Sequence, residues 1–244
     1  MSTAKFLPVY YWLKINHKCL LCDELAEQSL PLCAPCETDL PWLAGQCAVC
    51  ALPLPTQGLT CGACMRQLPA FSRVEAPWHY AFPIDTLITR FKHQARWPLG
   101  RLLAELLARH LRHAYAEGLP RPHRILPVPL ARSRQRQRGF NQAAMLSNWL
   151  GRELHLPVDE HLLLRARDTA AQQGLDARAR QRNLRQAFAL SASAAAVIAN
   201  QHLALVDDVL TTGATAQALA HLLRQAGAAR VDVYCLARTP KPGV

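Results

Sequence analysis

Long apolar runs are what this sequence most lacks. The 244-residue chain is half hydrophobic, yet its longest uninterrupted apolar pieces are short, such as residues 194–199, far below the ~18–20 residues a membrane-spanning helix needs. Residues 6–13 are apolar, but Pro8 and two tyrosines interrupt them and no small-residue cleavage site follows before Lys14, so the start does not read as an export signal. Charged residues make up only 18% and aromatics 7%, which excludes a disordered polyelectrolyte and a coiled coil. These absences exclude a membrane-spanning protein and argue against a secreted one. A cytoplasmic protein without membrane insertion is expected, with one large domain or one domain plus a smaller one.

Negative charge is scarce as well, and unevenly so. Residues 1–70 carry 4 Lys and Arg against 5 Asp and Glu, whereas residues 71–244 carry 24 against 12. Nearly all of the excess is arginine, concentrated at Arg132, Arg134, Arg136 and Arg138 and again at Arg178, Arg180, Arg182 and Arg185. Scattered arginines would mean solubility alone. Clusters of a side chain built for bidentate phosphate recognition point to anionic partners.

What is present divides the chain. Eight of nine cysteines fall in four C-x-x-C pairs, Cys19/Cys22, Cys33/Cys36, Cys47/Cys50 and Cys61/Cys64, and a shift of 28 residues carries the first two pairs onto the last two. Each repeat reads C-x2-C-x10-C-x2-C, a spacing that lets two short knuckles offer zinc a tetrahedral shell of four thiolates. Four sulfurs leave no open position, so the zinc is structural. A disulfide scaffold fits poorly without an export signal, and a redox C-x-x-C would need one pair. Two structural zinc ions are expected, and the spacing leaves both sequential and interleaved pairing open. The region carries Pro31, Pro35, Pro41, Pro53, Pro55 and Pro69 and little apolar mass, so it needs metal to hold a fold. Composition shifts near residues 70–77. Cys235, alone in a mostly apolar run, reads as a small core residue.

The remainder alternates helix and strand. Residues 99–117 and 140–150 have helical periodicity, the first stopped by Gly118 and Pro120; residues 124–130 are extended and apolar, with prolines that suit a strand end. Residues 202–206 and 231–236 read as buried strands around a helix at 215–226 ended by Gly227. Such alternation indicates a parallel sheet covered on both faces, with ligands bound beyond the strands' carboxyl ends.

That rule points to Val206-Asp207-Asp208-Val209-Leu210-Thr211-Thr212-Gly213-Ala214-Thr215. Two adjacent carboxylates at a buried strand end are costly unless they meet a ligand, a metal or donors. The turn behind them brings free backbone amides and three hydroxyls to a helix N-terminus, an anion site. An N-cap alone needs one hydroxyl. A Walker phosphate loop is excluded, because G-x-x-x-x-G-K is absent.

This string closely resembles the phosphoribosyl-pyrophosphate (PRPP) loop of type I phosphoribosyltransferases. It stands with the four C-x-x-C pairs, Leu126-Pro127-Val128-Pro129, Arg138-Gly139-Phe140-Asn141-Gln142, and a middle segment containing Gln172-Gln173-Gly174-Leu175, Arg180-Gln181-Arg182-Asn183 and Ala187-Phe188. With all of these in order, residues 17–240 resemble the ComF family, competence-associated proteins called GntX or DNA-utilisation proteins in some bacteria. The resemblance implies an α/β fold: a double zinc-ribbon region at residues 15–70, then a type I phosphoribosyltransferase-like parallel sheet flanked by helices at residues 75–240.

It also implies roles. Asp207 and Asp208 take the place of the catalytic acids that contact the ribose 2′ and 3′ hydroxyls, and Thr211, Thr212, Gly213, Ala214 and Thr215 that of the 5′-phosphate loop. Mg2+ would bridge pyrophosphate and ribose. Arg132 through Arg138 are expected at the pyrophosphate, and Lys92 in the same pocket. In contrast to a typical transferase, no segment reads as a binder of a purine, pyrimidine or orotate base. Two functions follow from different classes. One is a Mg2+- and PRPP-dependent phosphoribosyltransferase with an unidentified acceptor. The other is a non-catalytic module whose arginines bind single-stranded DNA, or DNA-uptake proteins, around a regulatory or vestigial phosphate site; Phe140, Trp149 and Phe188 are its candidate stacking residues, the last two reading rather as core.

Overall fold

The computed structural model describes residues 17–166 and 187–240. By compactness the chain divides into Met1–Leu40 and Pro41–Val244. In the first unit, strands β1 (His17–Lys18) and β2 (Leu25–Ala26) pair antiparallel, with His17 opposite Ala26. A short helix, Ala34–Thr38, starts after Cys33 with Pro35 in its first turn, where the missing N–H of proline costs nothing.

The second unit holds a parallel sheet in the order β3 (Arg73–Glu75), β9 (Arg230–Arg238), β8 (His202–Leu210), β5 (Arg124–Pro127), and β4 (Trp78–His79) also pairs with β9. Every pairing in it is parallel, as for Ile125 opposite Ala204 and Val206 opposite Tyr234. β8 and β9 are buried along almost their whole length, as expected of strands covered on both faces. Alternation along the strands shows what covers each side. Val231, Val233, Leu203 and Leu205 share a core with Leu219 and Leu223 of helix Ala214–Gln225. Tyr234, of opposite parity, accepts a hydrogen bond from Tyr115 of helix Trp97–Ala116 at 3.1 Å. A separate antiparallel pair, β6 (Leu163–Arg165) and β7 (Phe188–Leu190), brackets the undescribed segment.

Three elements differ from the sequence expectations. The strand expected at 202–206 continues through both acids to Leu210, because Asp207 and Val209 also pair with β9. The stretch 70–77, where composition shifts, contributes β3 to the sheet, a strand of three residues and so too short to show a period. Helix Ile84–Gln94 was not expected either; Phe91 within it is fully buried. A Cβ at Gly100 would lie 2.6 Å from the Phe91 ring, so only glycine lets helix Trp97–Ala116 approach this closely. That packing fixes the neighbour of Phe91, Lys92.

Candidate functional site

The cysteines form two groups, Cys19, Cys22, Cys33 and Cys36, and Cys47, Cys50, Cys61 and Cys64, each with its sulfurs within 4.8 Å of one another. Pairing is therefore sequential along the chain. No disulfide joins any of them, and Cys22 and Cys33, like Cys50 and Cys61, place their sulfurs 3.6 Å apart. A tetrahedron with Zn–S bonds of about 2.3 Å has edges of roughly 3.8 Å, so the spacing fits zinc. The thiols are poised for a cation as well. Against burial, backbone N–H groups bring Cys19 down to about 6 and Cys47 to about 7; the Cys61 amide donates to Cys47 Sγ at 3.2 Å. Burial pushes Cys50 up to about 11, and Cys36 and Cys64 are raised by burial and by neighbouring thiols. A dication resolves that conflict by holding all four as thiolates. Cys235 is fully buried in the main core.

The second group of charges gathers at the carboxyl ends of β8 and β5, the ligand end of a parallel sheet. Asp208 is buried, Asp207 half-buried. Lys92 Nζ lies 2.7 Å from Asp208 Oδ2, yet that buried oxygen accepts no hydrogen bond, so the pair is held by charge without an aligned donor. The other oxygens are used locally: Asp207 Oδ1 accepts from the Asp208 amide at 2.9 Å, and Asp208 Oδ1 from the Val209 amide at 2.7 Å. Burial pushes the Asp207 carboxyl up to about 6 against the pull of Lys92 and Arg138. Burial likewise holds Lys92 down at about 8, where Asp207 favours its charge and Arg138 and Arg134 oppose it. Two acids and a lysine thus share a site whose desolvation no internal partner fully offsets. A carboxylate oxygen that is ion-paired but accepts no hydrogen bond, beside a second acid, is a hard-oxygen donor set suited to Mg2+.

Residues 211–213 then turn the chain into helix Ala214–Gln225. Gly213 adopts φ +76°, and a Cβ there would meet nothing within 4 Å; the space above the turn is open. Thr212 Oγ1 accepts from the Ala214 amide at 3.4 Å, and the next amides of the first turn have no intrahelical acceptor. They form a positive concavity beside the acids.

The turn is held from below by Arg238, a residue the sequence reading did not single out. Arg238 is buried; its Nη1 donates to the carbonyls of Leu210 at 3.0 Å and Thr239 at 2.8 Å, and to Thr211, while its Nε donates to the Cys50 carbonyl at 3.1 Å. An arginine closing the apolar run of β9 was its sole signal in the sequence.

Asp207, Asp208, Lys92 and Arg138 therefore converge, with Thr211, Thr212, Gly213, Ala214 and Thr215 adjoining them in the chain. Arg138 donates to Gln142 at 3.0 Å, at the end of helix Arg132–Arg138, whose first six residues are exposed. Arg132 is the first residue of that helix, at the end away from Arg138. Phe140 and Trp149 pack on Phe91 at 5.7 and 5.9 Å between ring centroids, and Phe188 is buried. Residues 172–183 and the cluster Arg178, Arg180, Arg182 and Arg185 lie outside the described residues.

Comparison with known proteins bears on the family and the fold. A double zinc ribbon domain family matches residues 15–65, and a phosphoribosyl transferase domain family matches residues 143–243. The chain is 36% identical to the competence protein F of Haemophilus influenzae over 221 residues, 89% of this chain and 90% of the relative. This chain belongs to the ComF/YhgH family. A second member, the DNA utilization protein YhgH of Escherichia coli K12, is 41% identical over 172 residues, 70% of this chain and 74% of its own. A glutamine PRPP amidotransferase from B. subtilis is more distant, with 18% identity over 56% of this chain and 25% of that one at a TM-score of 0.38. The fold is the phosphoribosyltransferase-like α/β sheet of the family, with two zinc-ribbon-like cysteine clusters. Lys92, Arg132 and Arg138 precede the matched transferase segment. No helix of the described residues is long and apolar enough to cross a membrane.

Proposed function

We propose that this protein binds PRPP with Mg2+ at the carboxyl ends of β8 and β5 and transfers the phosphoribosyl group to an acceptor, in a cytoplasmic role linked to DNA uptake or utilisation. One observation carries the proposal: the half-buried Asp207 and buried Asp208 lie beside Lys92 and lead directly into an open glycine turn at a helix N-terminus. The turn, with Thr211, Thr212, Gly213, Ala214 and Thr215, receives the 5′-phosphate on backbone amides, where a side chain at Gly213 would intrude. Asp207 and Asp208 face the ribose. As the bond from C1′ to pyrophosphate breaks, its electron pair leaves with the pyrophosphate, a lone pair of the acceptor forms the new bond to C1′ with the acceptor's proton released to solvent, and the carboxylates stabilise the positive charge that develops on the sugar. Asp207, Asp208 and the pyrophosphate would hold Mg2+, which supplies charge neutralisation for the leaving group. Arg138 and Lys92 border the pyrophosphate side, with Arg132 further along the same helix. The double zinc ribbon at residues 15–70 and the transferase-like domain at residues 75–240 are two parts of this assignment.

A second reading, single-stranded DNA or uptake-protein binding with PRPP as regulator, is favoured by the exposed arginine face of helix Arg132–Arg138 and by the names of the two relatives. The experiment that tests the first reading is a nucleobase panel assayed for pyrophosphate release from PRPP with Mg2+, beside a thermal-shift titration. Ligand at 100 times Kd raises stability by about 2.7 kcal/mol. A shift with release identifies the acceptor, a shift without release favours the regulatory reading, and no shift at millimolar PRPP removes both uses of the site.

A further inference from the structure

The second cysteine cluster and the phosphate turn lie in one compact unit, and a single side chain joins them. Arg238 is the last residue of β9, opposite Leu210 in the parallel register. Its guanidinium spans from the carbonyl of Cys50, one of the four clustered thiols, to the carbonyls of Leu210 and Thr211 at the start of the turn. These partners are backbone oxygens, not the side-chain carboxylates that usually satisfy a buried guanidinium. Such a charge is tolerated only if every carbonyl stays in place, so displacing one loosens the others.

Further contacts tie the same two regions. The Val74 amide of β3 donates to the Val49 carbonyl at 2.9 Å, and Val49 and Cys50 pack against the main core. The Ala70 amide, six residues beyond Cys64, donates to Gln217 Oε1 at 2.8 Å, one turn into the helix that follows the phosphate turn. The 47–50 knuckle brings two of four clustered thiols to a metal position while Val49 and Cys50 pack on the main core, so a bound metal and the core would shape the same few residues.

We infer that Arg238 is a positioning residue that couples the second zinc centre, Cys47, Cys50, Cys61 and Cys64, to the phosphate turn at residues 211–215, so that metal in this centre and phosphoribosyl ligand in the turn stabilise one another. This deepens the proposed function and rests on it for the identity of the ligand; the coupling itself is a property of the ligand-free protein. Linkage makes it reciprocal: whatever zinc adds to ligand affinity, ligand adds to zinc affinity. The Cys19, Cys22, Cys33 and Cys36 cluster, in the other compact unit, is the internal reference.

The test is peptide-resolved mass spectrometry on the full chain with both zinc ions bound. Hydrogen exchange of ligand-free Arg238→Gln should be at least tenfold faster at the two bonded amides that close the turn, Gln217, which donates to the Gly213 carbonyl, and Thr239, which donates to the Leu210 carbonyl, with the amides of residues 203–206 unchanged as proof of folding; Arg238→Lys, which keeps some of the donors, should fall between. Partial zinc removal should speed the same turn amides in proportion to loss from the second cluster and not from the first. N-ethylmaleimide labelling with a competing chelator should then show PRPP with Mg2+ slowing modification of Cys47, Cys50, Cys61 and Cys64 at least threefold in the wild type, not in Arg238→Gln, and leaving the first cluster unaffected. Turn exchange unchanged in both arginine variants and on zinc loss overturns the coupling, even if PRPP binds. Equal protection of both clusters by PRPP overturns it also. If PRPP gives no heat with the wild type, the ligand reading fails alone, and the exchange measurements still decide the coupling.

Discussion

Cys19, Cys22, Cys33 and Cys36 sit in a unit whose other buried apolar residues, among those described, are Ala26, Leu32 and Leu40. Cys47, Cys50, Cys61 and Cys64 repeat the same spacing, yet their knuckle leans on the main core through Val49 and Cys50 and accepts hydrogen bonds from β3 and from Arg238. A duplicated motif has therefore acquired two different mechanical roles. In the first copy a bound metal would supply most of the order, because so little apolar surface is available to bury. In the second, a bound metal and the hydrophobic core would constrain the same few residues.

The largest effect expected from this difference comes from removing one ligand of each cluster. Cys19→Ser should abolish one of two zinc equivalents by elemental analysis and unfold the first unit, leaving the main calorimetric transition where it was. Cys47→Ser should also cost one equivalent but lower that main transition, by roughly 3 kcal/mol or more, as expected when a buried constraint is lost. Equal effects of the two substitutions on the main transition would erase the distinction between the copies.

Next in size is a contrast within the acid pair. Asp207 has a folded pKa raised by burial to about 6, above the value near 3.9 of an unfolded aspartate. Its ionisation therefore disfavours the folded state: this contribution is most favourable below about pH 4 and is lost as the pH rises through 6. Asp207→Asn should raise the stability of the ligand-free protein by about 1–2 kcal/mol at pH 8, with the gain vanishing toward pH 4, while PRPP binding is lost. Asp208→Asn should instead destabilise by about 1–2 kcal/mol at pH 7, because it leaves the ammonium of Lys92 without the partner 2.7 Å away. Denaturant melts of both variants across pH 4–8 check the opposite signs.

The parts of this molecule that were legible in its sequence are those whose chemistry demands a fixed spacing. The C-x2-C-x10-C-x2-C repeat gave both clusters, and the order of buried strand, two acids and glycine turn located Asp207, Asp208 and residues 211–215 at a strand's carboxyl end. Lys92 was legible only through family resemblance, since nothing in residues 84–94 foretells that Gly100 admits Phe91 and so aims the next side chain at Asp208. Arg238 left only one mark, an arginine closing an apolar run, and its role was not legible. Its partners are carbonyls 27 to 188 residues away or immediately adjacent, and backbone oxygens leave no trace in sequence. Strands β3 and β4 were missed for a simpler reason, being three and two residues long.

A smaller effect is expected at Gly213. Its φ of +76° lies in the left-handed region, and a Cβ there meets open space, so Gly213→Val should cost the free protein only about 1–2 kcal/mol of backbone strain. The same substitution should abolish binding of ribose 5-phosphate if the open space at Gly213 is the phosphate position, as proposed. Smaller still is the contribution of Arg134, Arg136 and Arg138 to polyanion affinity. If that helix face binds single strands, replacing all three by Ala should flatten the dependence of log affinity on log salt by about 0.7 for each phosphate no longer neutralised. A slope equal to that of the wild type, measured by fluorescence anisotropy with a labelled oligonucleotide, would take the helix out of the DNA-binding reading.

Most direct of all is isothermal titration of PRPP into zinc-replete wild-type protein and Asp207→Asn, each with saturating Mg2+ and again in Mg2+-free buffer without a chelator. If the two carboxylates meet the ribose and the turn amides the phosphate, as proposed, the wild type should bind one equivalent with Mg2+ and at least tenfold more weakly without it, a difference absent in Asp207→Asn. Absence of heat in every arm at millimolar PRPP, or wild-type affinity indifferent to Mg2+, contradicts the assignment of this strand end as a Mg2+-dependent phosphoribosyl site.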